Sequence, residues 1–469
     1  MQHLFRAVAV LFLLAGVGAR AQSGGVPLTA EDRRATVERA AELLAERYVF
    51  EDVGRAAGTH VRQRLAAGAY DDLADAGAFA DRLTADLQSV THDRHMRVRP
   101  RRPPPEGAQA DPDLAFAEGM REMRAQNYGF ERVERLDGNV GYLKFDYFGP
   151  PERVRETAAA AMHMLAGADA IIFDLRENGG GSPATVQFIC SYLFGERTHL
   201  NTLYWREGDR TEEFWTLDDV PGERMPDVPV FVLTSNRTFS GAEEFAYNLR
   251  TRDRATLVGE TTGGGANPGG GFPLGPGLTI FVPEGRAVNQ VTGTNWEGTG
   301  VEPHVATQAA EALEVALPLA REAATRHREA SIAAAGAAAR EMRSQLERAE
   351  AAAGAGRPDA AADLTSRALR AAVDAGVVGE DAINAMGYRY LGAGAHAMAI
   401  AVLRFNVAEY PESFNTYDSL GEAYMEAGQR DLAIANYERS LGLNPGNENG
   451  RRMLERLRAG ADAAVGTGQ

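Results

Sequence analysis

This sequence contains very little lysine, very little cysteine and, after its first residues, no long apolar run. Lysine occurs once, as Lys144, so almost every basic residue is an arginine. Cysteine also occurs once, as Cys190, which excludes a disulfide bond within the chain. Beyond the first residues, no apolar run approaches the length that crosses a bilayer. We therefore expect no membrane span in the mature chain, and one lysine at most is available as a base.

The length and charge of the chain bound its class. With 469 residues it can form two to four domains with sizeable cores. Its hydrophobic content of 44% and charged content of 24% are ordinary for a globular protein. The formal net charge of -16 repels a phosphate backbone, so no nucleic-acid partner is expected.

The first residues have the pattern of a secretory signal. Arg6 provides a basic start, residues 7–17 an apolar segment, and Ala19-Arg20-Ala21 a small-x-small cleavage site. We expect residues 1–21 to be removed as a signal peptide. An exported protein without disulfides fits a bacterial periplasm or the cell exterior.

Two regions of different character follow. Residues 28–100 are predicted to form an N-terminal helical bundle, opened by Thr29 and Asp32 at the spacing of a capping box. After a proline-rich break, residues 101–320 alternate apolar strands with amphipathic helices. This alternation indicates a mostly parallel α/β core.

The last region, residues 321–460, is helical, rich in alanine and repetitive. Similar residues recur 34 positions apart, in the pairs Gly387 and Gly421, Tyr390 and Tyr424, Gly394 and Gly428, Ala399 and Ala433, and Pro411 and Pro445. This period is similar to that of tetratricopeptide repeats, which have two helices per unit. One interpretation is a groove that docks a protein partner, and the other is a stabilising or dimerising appendage.

The most informative local pattern surrounds Ser240. An apolar strand at 228–233 ends in a polar turn, and Ser240-Gly241 opens an amphipathic helix that runs to 250. A serine at a strand-to-helix turn has an exposed hydroxyl, and the helix start offers free backbone N–H groups to a developing oxyanion. The pattern fits a nucleophile, and it also fits a plain helix N-cap.

Two glycine-rich stretches can approach a substrate closely. Residues 177–181 follow a buried strand and contain three glycines, whose N–H groups can turn toward an anion. A phosphate-binding loop is disfavoured because no Gly-Lys-Ser/Thr follows, and a plain flexible turn is the alternative. Residues 259–271 contain seven glycines, which suits a substrate-approach loop or a hairpin end.

The candidate acid–base groups are two histidines and one glutamate. Either His92 or His95 could be a general base, since imidazole titrates near neutral pH. Their spacing also suits a metal pair, but no third ligand lies nearby in the sequence, and a pair of surface histidines is the other alternative. Glu297, between an aromatic residue and glycines, could orient a base or a water, or it could be an ordinary acid of a surface turn.

Four motifs in this order resemble those of one family. They are Leu-Arg-x-Asn-x-Gly-Gly at 175–181, Ser-x-x-Glu at 240–243, Val-Gly-Glu-Thr-Thr-Gly at 258–263 and Gly-x-Gly-Val-x-Pro at 298–303. Residues 28–310 thereby resemble the tail-specific serine peptidases, a superfamily that includes the tricorn core protease and the repeats of interphotoreceptor retinoid-binding protein. The resemblance implies an α/β core of the crotonase/ClpP-like ββα-spiral kind, with an N-terminal helical bundle and C-terminal all-α tetratricopeptide repeats.

The resemblance also points to one of two catalytic branches. The tail-specific branch uses a lysine shortly after the serine, but glycines 263–265 stand there, and arginine stays protonated and cannot replace lysine as a base. The tricorn-like branch uses serine, an early histidine and a later glutamate. On that pattern the histidine is His95 and the glutamate is Glu297, which follows Ser240 by 57 residues. That branch has a serine where this chain has Arg94.

These patterns together predict an exported serine-type peptidase with a Ser-His-Glu site. Ser240 is the expected nucleophile, His95 the base and Glu297 the group that orients it, while the N–H groups of Gly241 and Gly180 form the expected oxyanion hole. No metal or other cofactor is expected. The expected partners are a peptide or protein substrate and a protein docked on the repeats. The alternative is a non-catalytic member of the same fold that binds a hydrophobic ligand or a protein partner through its repeat domain.

Overall fold

The computed structural model describes residues 27–101, 112–275 and 277–465. The predicted signal peptide at 1–21 lies outside these residues. The chain divides into two compact units between His327 and Arg328. Each unit has its own apolar clusters, and all of the candidate site residues belong to the first.

The helices are α1 (Ala30–Arg47), α2 (Glu51–Ala66), α3 (Ala76–Thr91), α4 (Pro112–Ala125), α5 (Pro151–Leu165), α6 (Pro183–Cys190), α7 (Gly241–Arg250), α8 (Ala312–Gly354), α9 (Pro358–Asp374), α10 (Glu380–Gly392), α11 (His396–Glu409), α12 (Phe414–Glu426), α13 (Arg430–Leu443) and α14 (Glu448–Val465). The strands are β1 (Arg97–Pro100), β2 (Phe130–Leu136), β3 (Val140–Phe145), β4 (Ala170–Asp174), β5 (His199–Trp205), β6 (Arg210–Trp215), β7 (Val230–Thr234), β8 (Ala255–Gly259), β9 (Gly269–Gly275), β10 (Leu278–Pro283), β11 (Gly285–Val288) and β12 (Val305–Ala306). Within the described ranges, no helix has the length and apolar character needed to cross a membrane.

A six-stranded sheet forms the centre of the first unit, in the order β12-β8-β7-β4-β3-β2. Only the β2–β3 pair is antiparallel; the other pairs run parallel. Ile171 and Phe173 of β4 pack with α5, α6 and α7, whereas Ala170 and Ile172 pack with alanines of α8. Because both faces are covered, the first four residues of β4 are all apolar, and only its last residue, Asp174, is charged. The predicted parallel α/β core is confirmed.

The N-terminal helices are joined to the rest of this unit by a small sheet, β1-β10-β9. The predicted capping box at the start of α1 is present, because the Thr29 and Asp32 side chains each accept from the other's backbone N–H. Helices α1 to α3 bury one face of the small sheet, including Val98 and Ile280. Strand β1 begins two residues after His95, so its pairing with β10 fixes where that histidine lies. A further sheet has the order β11-β5-β6.

The second unit repeats with the predicted period of 34 residues. A Cβ placed on Gly387 of α10 would lie 2.5 Å from Leu403 of α11, and one on Gly421 of α12 would lie 3.2 Å from Tyr437 of α13. Both glycines thus allow close packing of the two helices of a pair, and their contact residues are themselves 34 positions apart. The same φ of 74° occurs at the two turn glycines, Gly394 and Gly428. The sequence repeat is therefore a structural repeat of helix pairs.

Most strands outside the middle of the six-stranded sheet are not predicted by the sequence patterns. The predicted strand 140–145 coincides with β3, but seven strands have no predicted counterpart, namely β1, β2, β5, β6, β9, β11 and β12. Strand β9, with the sequence GGGFPLG, has glycines and a proline that disfavour strands, and it forms only at the edge of its sheet. The predicted boundary between core and repeats, at 320/321, falls inside α8.

Candidate active site

Ser240 lies between β7 and α7 in a strained backbone conformation. Its φ of 54° and ψ of -121° are rare for a residue other than glycine, and such a conformation costs on the order of 1–3 kcal/mol. The residue is half-buried and occupies the N-cap position of α7. A serine so placed is next to the unsatisfied N–H groups of the helix start, as a nucleophile requires.

The buried carboxylate of Glu243 holds this turn in place. It accepts hydrogen bonds from Ser240 N–H at 2.8 Å, Thr262 Oγ1 at 2.5 Å, Gly264 N–H at 2.6 Å and Gly265 N–H at 2.8 Å. Burial raises the pKa of Glu243 to about 7, against the opposing effect of these four donors. Glu243 therefore ties the nucleophile turn to the glycine loop after β8, a role for the Ser-x-x-Glu motif that sequence analysis did not assign.

The glycine turn at 179–181 packs directly against the start of α7. A Cβ on Gly180 would lie 2.6 Å from Gly241 N, and one on Gly241 would lie 3.0 Å from Gly181 N, so side chains are excluded from this contact. The N–H of Gly180, predicted as an oxyanion donor, instead donates to Asn178 Oδ1 at 2.9 Å. In the described parts of the chain, the N–H groups of Gly241 and Gly181 make no hydrogen bond.

The Gly180 N–H group is already hydrogen-bonded because of the local geometry of the turn. Its φ of 99° directs the turn so that the Asn178 side chain, itself fully buried, closes on the Gly180 amide. The N–H group of the adjacent Gly181 lies beside Gly241 and has no hydrogen-bond partner among the described residues. Three glycines after a buried strand mark this turn in the sequence. No sequence pattern shows which of their N–H groups is free to donate.

His95 is buried between two aromatic rings. Its ring centroid lies 4.5 Å from that of Phe239, the residue before Ser240, and 5.6 Å from that of Phe281 on β10. Burial, with a smaller effect of Arg97, lowers the pKa of His95 to about 3, so the imidazole is neutral at pH 7. His92 instead ends α3 in a left-handed conformation and is exposed, so the structure brings His95 and not His92 to Ser240's side of the unit.

Asp93 is a buried acid next to His95 that sequence analysis did not assign to the site. Its carboxylate accepts from His95 N–H at 3.0 Å, from Asn267 Nδ2 at 2.8 Å and from Tyr48 Oη at 3.3 Å. Burial raises the pKa of Asp93 despite these hydrogen bonds. The hydrogen-bond partners of Asp93 come from Tyr48, directly after α1, and from Asn267 in the glycine loop, and only the fold brings these residues together.

Glu297 lies beside both Asp93 and His95. Its Oε2 accepts from Ala266 N–H at 2.6 Å, while its Oε1 and the Nδ1 of His95 are buried and have no hydrogen-bond partner among the residues that the structure describes. Burial and the charge of Asp93 raise the pKa of Glu297 to about 8. One ligand atom from each of Asp93, His95 and Glu297 lies within 4.8 Å of the others. Among the described side chains, this is the group that is close enough together to hold a metal ion.

His95 packs on Phe239, the residue before Ser240, and no hydrogen bond joins His95 to Ser240 in the described residues. Phe239 and the glycine loop lie between the elements that carry them. A Cβ on Gly265 would come within 2.3 Å of the Phe239 ring and 2.7 Å of His95 Cε1, so this loop closes tightly over both. Catalytic hydrogen bonds are often long in a free enzyme and tighten when substrate binds.

Lys144 is not suited to act as the base. It lies on β3 and forms an ion pair with Glu131. Burial lowers the pKa of Lys144, but the hydrogen bond to Glu131 and the nearby carboxylates outweigh it, so the pKa lies above its usual value. A lysine base needs the opposite shift. The ion pair with Glu131 and the raised pKa thus do not favour Lys144 as a base.

Two family models match the first unit. Residues 139–307 match peptidase family S41, and residues 23–129 match the "N-terminal domain of Peptidase_S41 in eukaryotic IRBP". Together these ranges span more than half of the chain. The two ranges contain His95, Ser240 and Glu297, the residues predicted for the site.

Individual relatives match over shorter stretches. A carboxyl-terminal-processing protease of Synechocystis is 36% identical over 146 residues, which are 31% of this chain and 32% of that protein. The chloroplastic carboxyl-terminal-processing peptidase 1 of Arabidopsis thaliana is 28% identical over 189 residues, 39% of this chain and 37% of that protein. The chain thus spans about a third of the length of these relatives. The solved structure of a putative peptidase from Parabacteroides merdae is 21% identical with a TM-score of 0.43, covering 62% of this chain and 97% of that one.

Proposed function

This chain belongs to peptidase family S41, and we propose that it hydrolyses peptide bonds with Ser240 as nucleophile, His95 as base and Glu297 as the group that orients the base. The observation that carries the proposal is the setting of Ser240. Ser240 has a strained φ at the start of a helix. It lies beside two amide N–H groups that have no partner in the described residues, and it follows Phe239, on whose ring His95 packs. Strain that the surroundings enforce at one serine is typical of a functional site.

The proposed reaction begins with attack of the Ser240 hydroxyl on the scissile carbonyl carbon. His95 accepts the hydroxyl proton as the Oγ–C bond forms, and it later donates that proton to the amine that leaves when the C–N bond breaks. Water then attacks the acyl-enzyme with the same proton transfers and releases the second product. Because His95 is neutral at pH 7, it is in the form that can accept a proton.

The proposed oxyanion hole uses the N–H groups of Gly241 and Gly181. Both lie against each other at the start of α7, and both make no hydrogen bond within the described residues. Donors fixed in this way stabilise the tetrahedral oxyanion by roughly 3 kcal/mol each. Gly180 is then the residue that allows the close approach of the two segments, not a donor.

Glu297 is proposed to stabilise the charged form of His95. When His95 takes the serine proton it becomes an imidazolium in a buried setting, which is unfavourable without a nearby negative charge. Glu297 has a buried oxygen without a described partner, and it belongs to the group whose atoms lie within 4.8 Å of one another. Ionised Glu297 therefore supplies the counter-charge that the intermediate requires.

Two further parts of the prediction remain proposals. We infer export from the signal-like segment at 1–21, which places the enzyme in the periplasm or outside the cell. We also infer that the helix pairs of the second unit dock a protein partner, because repeated helix pairs form extended surfaces suited to binding.

A fluorophosphonate probe that labels activated serines tests the proposed site. Wild-type protein should be labelled, and Ser240→Ala and His95→Ala should each abolish labelling while circular dichroism shows a retained fold. Ser366→Ala, at an exposed serine of α9, and His92→Asn, at the exposed histidine before the site, are the matched controls and should be labelled like wild type. Folded wild-type protein that takes no label would favour the non-catalytic binder instead.

A further inference from the structure

A row of arginines leads away from His95 along strand β1. Arg94 precedes His95, and Arg97 and Arg99 lie two positions apart on the strand. Residues two apart in a strand share a face. Val98 between them is 4% exposed and belongs to the core formed with the N-terminal helices. Arg97 and Arg99 therefore lie on the opposite, exposed face of the small sheet.

Among the described residues, the strand positions beside Arg97 and Arg99 on this face carry no acidic side chain. Residues directly opposite in antiparallel strands share a face. The register places Phe281 opposite Arg97 and Thr279 opposite Arg99. On β9 the corresponding residues are Gly271 and Pro273. None of these neighbours is acidic, and a Cβ on Gly271 would meet no atom within 4 Å, so the face is open there.

The arginine row begins at the proposed active site. The ring of Phe281, opposite Arg97, is stacked on the ring of His95. Arg94 Nη1 donates to Gly263 O at 2.6 Å, which fixes Arg94 to the glycine loop after β8. Arg97 Nε donates to Arg94 O at 3.0 Å, which orients the Arg97 guanidinium. The row thus extends from the catalytic histidine across a preformed surface.

These guanidinium groups lack counter-charges. In the described ranges, Arg94, Arg97 and Arg99 have no carboxylate within ion-pair distance, and the two Nη atoms of Arg97 donate no hydrogen bond. Burial is the largest cause that lowers the pKa of Arg97, and the charges of Arg99 and Arg94 lower it further. The three positive charges therefore repel one another. A bound anion would relieve the repulsion.

We propose that Arg97 and Arg99, with Arg94, form a subsite that binds a carboxylate of the peptide substrate close to the bond that is cut. This inference rests on the proposed function. A guanidinium with free Nη groups binds a carboxylate through two parallel hydrogen bonds, a geometry that a neutral amide does not match. The carboxylate belongs to an acidic side chain or to the free C-terminus of the substrate. Because a strand rises about 3.3 Å per residue, it lies within a few residues of the scissile bond.

Binding to the Ser240→Ala protein tests this subsite without turnover. Fluorescein-labelled alanine-rich peptides are compared by anisotropy in four forms, with one Glu or Gln and with a free or amidated C-terminus. The Glu or free-acid form should bind at least about tenfold more tightly than its neutral counterpart, and added salt should reduce this preference. A preference that follows Glu identifies a side-chain carboxylate, and one that follows the free acid identifies the C-terminus.

Arginine variants then locate the preference. Arg97→Gln and Arg99→Gln, each in the Ser240→Ala background, should reduce it about tenfold. Arg34→Gln, at an exposed arginine of α1, is the matched control and should retain it. Equal binding of all four peptides, or a preference that survives both variants, would overturn the subsite. Binding preference without any cleavage by wild-type protein would refute the peptidase proposal and leave the subsite standing.

Discussion

Ser240 has a backbone conformation that is unfavourable for serine, and a hydrogen bond to the side chain of Glu243 stabilises it. The residue keeps a φ of 54° because Glu243 accepts its N–H, and Gly180 leaves room for the turn to pack. In the same candidate site, the pKa of His95 is lowered to about 3 and the pKa of Glu297 is raised to about 8. Displaced pKa values in neighbouring buried groups are typical of acid–base sites.

The pKa of Glu297 predicts a specific pH dependence. Because this pKa is raised, Glu297 is mostly protonated below pH 8 and ionised above it, and only the ionised form stabilises the His95 imidazolium. We expect kcat/KM to rise with pH through about 8, with no limb from His95, whose pKa lies far lower. Glu297→Gln should lower kcat/KM by roughly 10²- to 10⁴-fold and remove the rise. A wild-type profile that is flat across this range would contradict the assigned role.

At the scale of elements, the site depends on how α7 is joined to the loop between β8 and β9. Glu243, on the first turn of α7, accepts from three residues of that loop, and the loop in turn contacts His95 and donates to Glu297. The proposed nucleophile, base and orienting acid are therefore connected through the carboxylate of Glu243. A change at Glu243 should disturb their relative positions more than it disturbs the rest of the fold.

Two adjacent glutamates on α7 allow a matched test of this connection. Glu243→Gln places an amide NH₂ against N–H donors, so the fluorophosphonate labelling rate should fall roughly tenfold or more. Glu244→Gln should label at the wild-type rate, because burial raises the pKa of Glu244 to about 8 and the neutral form already predominates at pH 7. Circular dichroism checks that both variants fold. Equal rates for the two variants would show that Glu243 is not a positioning residue.

At the scale of the whole molecule, the two units contribute different things. Every residue assigned to the site lies in the first unit, which also contains the first part of α8. That part supplies fully buried alanines that cover one face of the central sheet, namely Ala312, Ala316, Ala320 and Ala324. The helix pairs of the second unit contribute no residue to the proposed chemistry.

Two shortened chains separate these contributions. A chain that ends at residue 327 should fold and accept the fluorophosphonate label at the wild-type rate, because it keeps the site and the alanine cover. A chain that ends at residue 310 loses that cover, exposes an apolar sheet face, and should aggregate or unfold when followed by circular dichroism and size-exclusion chromatography. Loss of labelling in a folded 1–327 chain would mean that the second unit takes part in the reaction.

The sequence by itself determined the features that depend on short windows. The Ser240 turn, the glycine turn at 177–181, the parallel α/β core and the period of 34 residues all follow from local turn chemistry and hydrophobic periodicity. The position of the one lysine, far upstream of Ser240, together with glycines 263–265 where the tail-specific branch has its lysine, predicts against a Ser-Lys pair.

Tertiary structure decided everything that depends on partners far apart in the chain. It brought His95 and not His92 to the site, because β1 pairs with β10 and the His95 ring stacks on Phe281. It left Gly181 and not Gly180 with a free N–H, because the Asn178 side chain closes on Gly180. It also placed Arg97 and Arg99 on one face of the small sheet, where their strand neighbours among the described residues are not acidic. Hydrogen bonds, burial and charge pairing act between residues that only the folded chain makes neighbours, so no local pattern could have predicted these contacts. The preference for His95 over His92 had come from the resemblance to a family, and the fold supplied its physical reason.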